Sequence, residues 1–80
     1  MTDEELLDVF GRILGDLLSD GAVVLTMQTQ RQDVPNWDSF AYVNFIVAAE
    51  LELGIKFKVA DIESFDNVGA IVAKARELLR

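Results

Sequence analysis

WDSFAYVNFIVAAELEL, residues Trp37–Leu53, decides how the rest of the chain is read. It predicts one helix of about four turns. The run before it, Asp33-Val34-Pro35-Asn36, has turn chemistry. Asp38 or Ser39 caps the first turn, because a short side-chain oxygen accepts from the N–H groups left free there. Beyond Ser39 the segment is apolar almost all the way round, and only Asn44, Glu50 and Glu52 are clearly polar. At about 100° per residue, Tyr42, Phe45, Ile46, Ala49 and Leu53 share one side, the side expected to be buried. Phe40, Val47 and Leu51 fall on another, beside Asn44. A helix that is hydrophobic all round is normally buried or spans a membrane. This one is too short to span, and a domain of 80 residues does not easily cover every face of one helix. Part of its surface is therefore expected to meet a partner protein, or a cargo that slips among the helices, where neighbouring helices leave it bare.

Composition narrows the chemistry. The length fits one domain, residues 1–80, and a hydrophobic share of 51% suffices for a small core. There is no cysteine, hence no disulfide framework and no thiolate metal site. There is no histidine, which removes the commonest general base and metal ligand. A net charge of −7 repels nucleic acid phosphates and anionic membranes and favours partners with basic patches. The start, MTDEELLD, lacks a basic region followed by an apolar run. No signal peptide and no transmembrane segment are expected, and the expected location is the cytoplasm. A monomer is expected.

Residues 2–18 predict the first helix. Thr2 and Glu5 have capping-box spacing. Leu6, Phe10, Ile13, Leu14, Leu17 and Leu18 form one apolar stripe. Gly11 and Gly15 weaken the helix but permit close packing, and Ser19-Asp20-Gly21 ends it. Residues 19–37 are a long connection. Ala22–Leu25 has strand-like composition, yet no partner strand appears and an isolated strand is unstable. The segment is expected to be a loop pinned by Val23 or Leu25, with Gln28–Asp33 solvated. Gly54 stops the second helix. Ile55 and Phe57 are expected to point inward, and Val59–Ser64 to form a single short helical turn. Phe65 is expected to anchor in the core. Asp66 or Asn67 caps a last helix through Leu79, with Val68, Ile71, Val72, Ala75, Leu78 and Leu79 as its apolar stripe. Lys74, Arg76 and Arg80 suit its C-terminal end. The expected fold is all-α: a small four-helix bundle, three long helices and one short, with a long first loop.

Catalytic constellations are missing. Nucleophile–base pairs need the absent His or Cys, the acids do not follow calcium-loop spacing, and no glycine-rich phosphate loop occurs. Metal ligands and catalytic residues are therefore not expected. Ser39 stands out. It begins an apolar helix after a loop, where backbone N–H groups and the positive end of the helix dipole welcome a phosphate. Position alone makes it an ordinary capping serine.

Asp38-Ser39-Phe40, followed by Val43, Asn44, Glu50, Glu52, Gly54 and Ile55, resembles the acyl carrier protein family. There an Asp-Ser-Leu motif opens the second helix and a Glu-rich end leads to Gly-Ile. Phe65-Asp66-Asn67-Val68-Gly69 resembles the turn into that family's last helix. The resemblance covers about residues 34–79, while the first helix and loop agree only in length and pattern. It implies that a phosphopantetheinyl transferase moves 4′-phosphopantetheine from coenzyme A to Ser39, and that acyl groups ride on the arm as thioesters. It also implies that Asp38 helps the transferase engage and that the second helix is the recognition helix. The implied partners are acyl ligases, synthases or acyltransferases with basic or apolar docking patches, in fatty acid, lipid, polyketide or peptide biosynthesis. Growing chains would insert among Phe45, Ile46, Phe57 and Val68, or partners would press on Phe40 and Val47. Val43, Asn44 and Glu50 are further expected contacts.

The departures from the family pattern are specific. Phe40 stands where leucine is usual, and Asn44 where carriers of primary fatty acid synthesis usually have an acid. Only Glu50 and Glu52 remain charged on the second helix, so docking is expected to lean on apolar contact. Trp37 matches some free-standing specialised carriers, or else packs as a hydrophobic staple on Ala41 or a neighbouring turn. Together these departures suggest a specialised carrier. The competing expectation is an unmodified acidic interaction module that docks partners through the 38–53 helix.

Overall fold

Thr2 and Glu5 open the first helix as their spacing predicts. The Glu5 N–H donates to Thr2 Oγ1 at 3.1 Å, and the Thr2 N–H donates to Glu5 Oε1 at 2.8 Å. The Thr2 N–H, and after it the Thr2 hydroxyl, hold the exposed Glu5 carboxyl below the usual carboxylate range. The structure, a computed structural model, describes residues 1–19, 21 and 23–79. In it α1 is Asp3–Leu18, α2 is Ser39–Leu53, α3 is Val59–Ser64 and α4 is Val68–Leu78. A 3₁₀ turn, Arg31–Asp33, lies in the first connection. The described residues contain no strand. The architecture is the expected four-helix bundle, with three long helices and one short. Asp20, Ala22 and Arg80, on which the first helix stop, the strand-like run and one C-terminal charge partly rested, lie outside the described residues.

Packing follows the predicted stripes. α1 buries Leu6, Phe10, Ile13 and Leu14; α2 buries Phe45, Ile46 and Ala49; α4 buries Val68, Ile71, Val72 and Ala75. Phe10 and Phe45 meet edge to face, with ring centres 5.4 Å apart. Each fully buried side chain of this size contributes about 1.5–3 kcal/mol. Leu25, Trp37 and Phe57 close the core from the connections, so of the two candidate loop anchors Leu25 is the buried one. Leu17 and Leu78 depart from their stripes and are exposed, each in the last turn of its helix. Phe65 is half-buried and packs edge-on to Phe57 at 5.5 Å.

The first loop is more ordered than its composition suggests. Val68 N–H donates to Thr29 O and Gly69 N–H to Met27 O, each at 2.8 Å. Two of the donors that open α4 are thereby satisfied by loop carbonyls. The Thr26 N–H also donates to Thr29 Oγ1 at 2.8 Å, closing a turn within the loop. On the other side the loop backbone lies against α1, where a Cβ on Gly11 would overlap the Val23 carbonyl. Polar side chains stay outside while the backbone beneath them is held from two helices.

Candidate functional site

Asp38 is extended, with φ −84° and ψ −174°, and its Oδ1 accepts the Ala41 N–H at 2.9 Å. The cap is therefore Asp38, and α2 starts two residues later than Trp37 because Trp37 is held in the core. Ser39 is the first helical residue and is exposed. Its hydroxyl stands at the N-terminal end of α2, where the helix presents its positive dipole end.

Beside Ser39 opens a cleft of ≈ 490 Å³ between the first loop, α2, α3 and the start of α4. That volume falls within the usual range of small-molecule sites, about 300–1,000 Å³. Its apolar wall is Trp37, Tyr42, Val43, Ile62, Phe65, Val68 and Ile71. Its polar rim comes from Thr29, Arg31 and Gln32 on the loop and from Glu63, Asp66 and Asn67. Of the four residues expected to line a chain-binding space, only Val68 borders this cleft. Phe45, Ile46 and Phe57 are taken up by the core.

Tyr42 spans the cleft wall. Its hydroxyl donates to the Ile62 carbonyl at 2.7 Å and so ties α2 to α3. Burial raises its pKa above the usual tyrosine range, and the Arg31 guanidinium, 5.2 Å from the ring centre, opposes that shift. Trp37 is 4% exposed. It packs edge-on to Phe45 at 5.3 Å and tilted to Tyr42 at 6.2 Å, which makes it a core anchor and not a staple on Ala41. Its indole Nε1 is buried and has no hydrogen-bond partner among the described residues. A buried donor left unpaired costs about 1–3 kcal/mol.

The outward face of α2 carries a second feature. Phe40, Val43, Val47 and Leu51 are exposed and follow one another at three- and four-residue steps, with Asn44 exposed beside them. Such steps place side chains on one face of a helix. Phe40 and Leu51 are 78% and 80% exposed. Glu50, expected as a partner contact, is placed otherwise. Its Oε2 accepts the Phe57 N–H at 2.8 Å and its Oε1 lies 3.9 Å from Lys56 Nζ, so the carboxylate holds the α2–α3 connection. Glu52 pairs with Arg12 at 3.1 Å. Both acids of α2 are thus engaged within the fold, and the outward row is apolar with one amide. Among the described residues no cluster of metal-ligating side chains occurs, and no helix is long and apolar enough to cross a membrane.

This arrangement has a solved counterpart. The chain is similar to a holo acyl carrier protein from Geobacter metallireducens, known from its solution NMR structure, with a TM-score of 0.82 and 32% sequence identity. The match covers 91% of this chain and 84% of that one. The chain belongs to the acyl carrier protein family. No protein-family model and no curated protein matches it. In this acyl carrier protein, the two departures on α2, Phe40 and Asn44, both lie on its exposed outward face. The third, Trp37, lies under the surface and forms the floor shared by the core and the cleft. Arg31, Gln32, Glu63 and Ile62 of the cleft were not singled out by sequence. The signal available for the first two was the length of the polar loop, since long loops in compact domains are often functional.

Proposed function

We propose that this acyl carrier protein bears 4′-phosphopantetheine on Ser39 and carries acyl intermediates of fatty acid, lipid or secondary-metabolite biosynthesis between partner enzymes. The observation that carries the proposal is the position of Ser39: exposed, first in α2, and part of the wall of a cleft large enough for a flexible arm. The residues present fit such a group. A phosphate on Ser39 would meet the unshared N–H groups and positive end of α2, and the cleft offers apolar wall and polar rim beyond it. When bound, the arm supplies a thiol on which acyl groups are held, a function this cysteine-free chain has no residue to perform.

The chain's own residues have three tasks in this proposal. Asp38 orders the first turn through Ala41 and so fixes where the Ser39 hydroxyl stands; its exposed carboxylate is also the contact proposed for the transferase. Phe40, Val43, Asn44 and Val47 form the docking row for the transferase and for ligases, synthases or acyltransferases. Glu63 and Asp66 on the cleft rim, with Asp38 next to Ser39 in the chain, favour basic partner surfaces at its edge.

Intact mass after incubation with coenzyme A, magnesium and a promiscuous phosphopantetheinyl transferase tests the proposal. Wild type is expected to gain one phosphopantetheine, and Ser39→Ala none. The same exposed row would also suit an unmodified interaction module. A folded wild type that gains no mass with several transferases would favour that module and return Ser39 to an ordinary residue of the first helical turn.

A further inference from the structure

Resting on the carrier proposal, we infer that Arg31 is the cation that holds the phosphodiester of the Ser39-bound arm, so that the arm is rooted against the first loop and leads into the cleft. Arg31 and Ser39 both line that cleft, and among the described residues no other lysine or arginine does. Tyr42 supplies the geometry. It follows Ser39 by three residues, which places the two on one face of α2. The Arg31 guanidinium lies over its ring, 5.2 Å from the centre. The cation therefore stands beside the flank of α2 that carries Ser39. Its side chain is exposed, so it turns toward a group on Ser39 without disturbing the core.

The donors of Arg31 are uncommitted. Among the described residues Arg12, Lys56, Lys74 and Arg76 each pair with a carboxylate, and Arg31 pairs with none. Asp33, the acid nearest to it in the chain, accepts the Gln30 N–H at 2.8 Å instead. That bond lies in the 3₁₀ turn, where the Val34 N–H also holds the Arg31 carbonyl and so fixes the root of the side chain. A guanidinium lying over a ring keeps the N–H groups at its edge, a fork that suits a phosphate.

Charge supplies the need. The arm carries one negative charge, at the phosphodiester next to Ser39. Asp38 precedes Ser39, Glu63 and Asp66 line the cleft, and the whole chain carries −7. Arg31 is the cleft residue able to offset that repulsion, through charge-assisted hydrogen bonds.

The experiment compares the unmodified and phosphopantetheine forms of the wild type and of Arg31→Gln, each verified by intact mass. The Arg31 Nε–H signal in a ¹H–¹⁵N spectrum is identified by its loss from unmodified Arg31→Gln. It is expected to move downfield and to exchange several-fold more slowly with solvent once the arm is attached. The ³¹P signal of the phosphodiester is expected to differ between the wild type and Arg31→Gln. An Arg31 signal unmoved by attachment would overturn the inference, and that measurement needs only the wild type to be loaded. A ³¹P signal identical in the two proteins would overturn it as well. Either result leaves the carrier proposal standing. A wild type that gains no mass fails the carrier proposal itself, and this inference with it.

Discussion

Gly69 donates its backbone N–H to the Met27 carbonyl oxygen at 2.8 Å, and a Cβ on Gly69 would stand 2.5 Å from that oxygen. Helix propensity favours Ala over Gly by about 0.8–1 kcal/mol, whereas overpacking costs about 1–3 kcal/mol. The contact is with backbone, which has little room to yield, so the clash dominates. Gly69→Ala is expected to lower stability by up to about 2 kcal/mol, the overpacking cost less the propensity gain. Urea unfolding measures it as a lower midpoint at unchanged slope. A raised midpoint would mean that the loop moves aside and is not held by α4.

Tyr42→Phe removes the bond to the Ile62 carbonyl. It is expected to cost about 0.5–1.5 kcal/mol near neutral pH. The alkaline limb carries a second signature. Burial raises the folded pKa above the unfolded one, so the folded state holds its proton longer. The associated stability is fully present below about pH 10 and is lost as pH rises through the folded pKa. Unfolding free energies measured from neutral to alkaline pH should fall less steeply for Tyr42→Phe than for wild type. Parallel curves would remove Tyr42 as the titrating group.

At the other end of the pH scale the capping pair sets the sign. The Glu5 carboxyl is held below its usual range by the Thr2 N–H and hydroxyl. Its contribution is present above the ordinary carboxylate pKa and is lost as pH falls through the lowered one. Thr2→Ala should bring the Glu5 pKa back toward the ordinary value in a carbon-detected NMR titration. A Glu5 carboxyl that already titrates at the ordinary value in the wild type would show that the box does not persist in solution.

Phe40→Ser combined with Val47→Ser touches only the outward row of α2. Exposed positions usually change stability by no more than about 0.5 kcal/mol, so the melting temperature should hold. Loading by the transferase, acyl transfer to a partner, or both should slow. Unchanged rates in both assays would remove this row from the docking surface.

Much of the fold was legible because its signals are local. Periodic apolar residues and caps at Thr2, Asp38, Gly54 and Asn67 delimit the three long helices without reference to anything distant. Ser39 was legible for the same reason, through the residues on either side of it. The cleft was not. Thr29 and Val68 are joined by a backbone bond that no periodicity encodes, so the polar loop read as merely solvated. Glu50 read as a surface acid because helical spacing says nothing about the Phe57 N–H that curls back beneath it. The staple on Ala41 expected of Trp37 gave way to a core position, since a ring at a helix entry is placed by what lies below it: here Phe45 and Tyr42.

The bare row on α2 also has a colloidal consequence. With a net charge of −7 on a chain whose radius of gyration is 11.3 Å, copies repel one another in dilute buffer. Salt shortens the reach of that repulsion from about 10 Å at 0.1 M to about 3 Å at 1 M, but leaves Phe40 and Leu51 as greasy as before. Concentrated salt should therefore turn a self-avoiding protein into a self-adhesive one, with α2 as the seam.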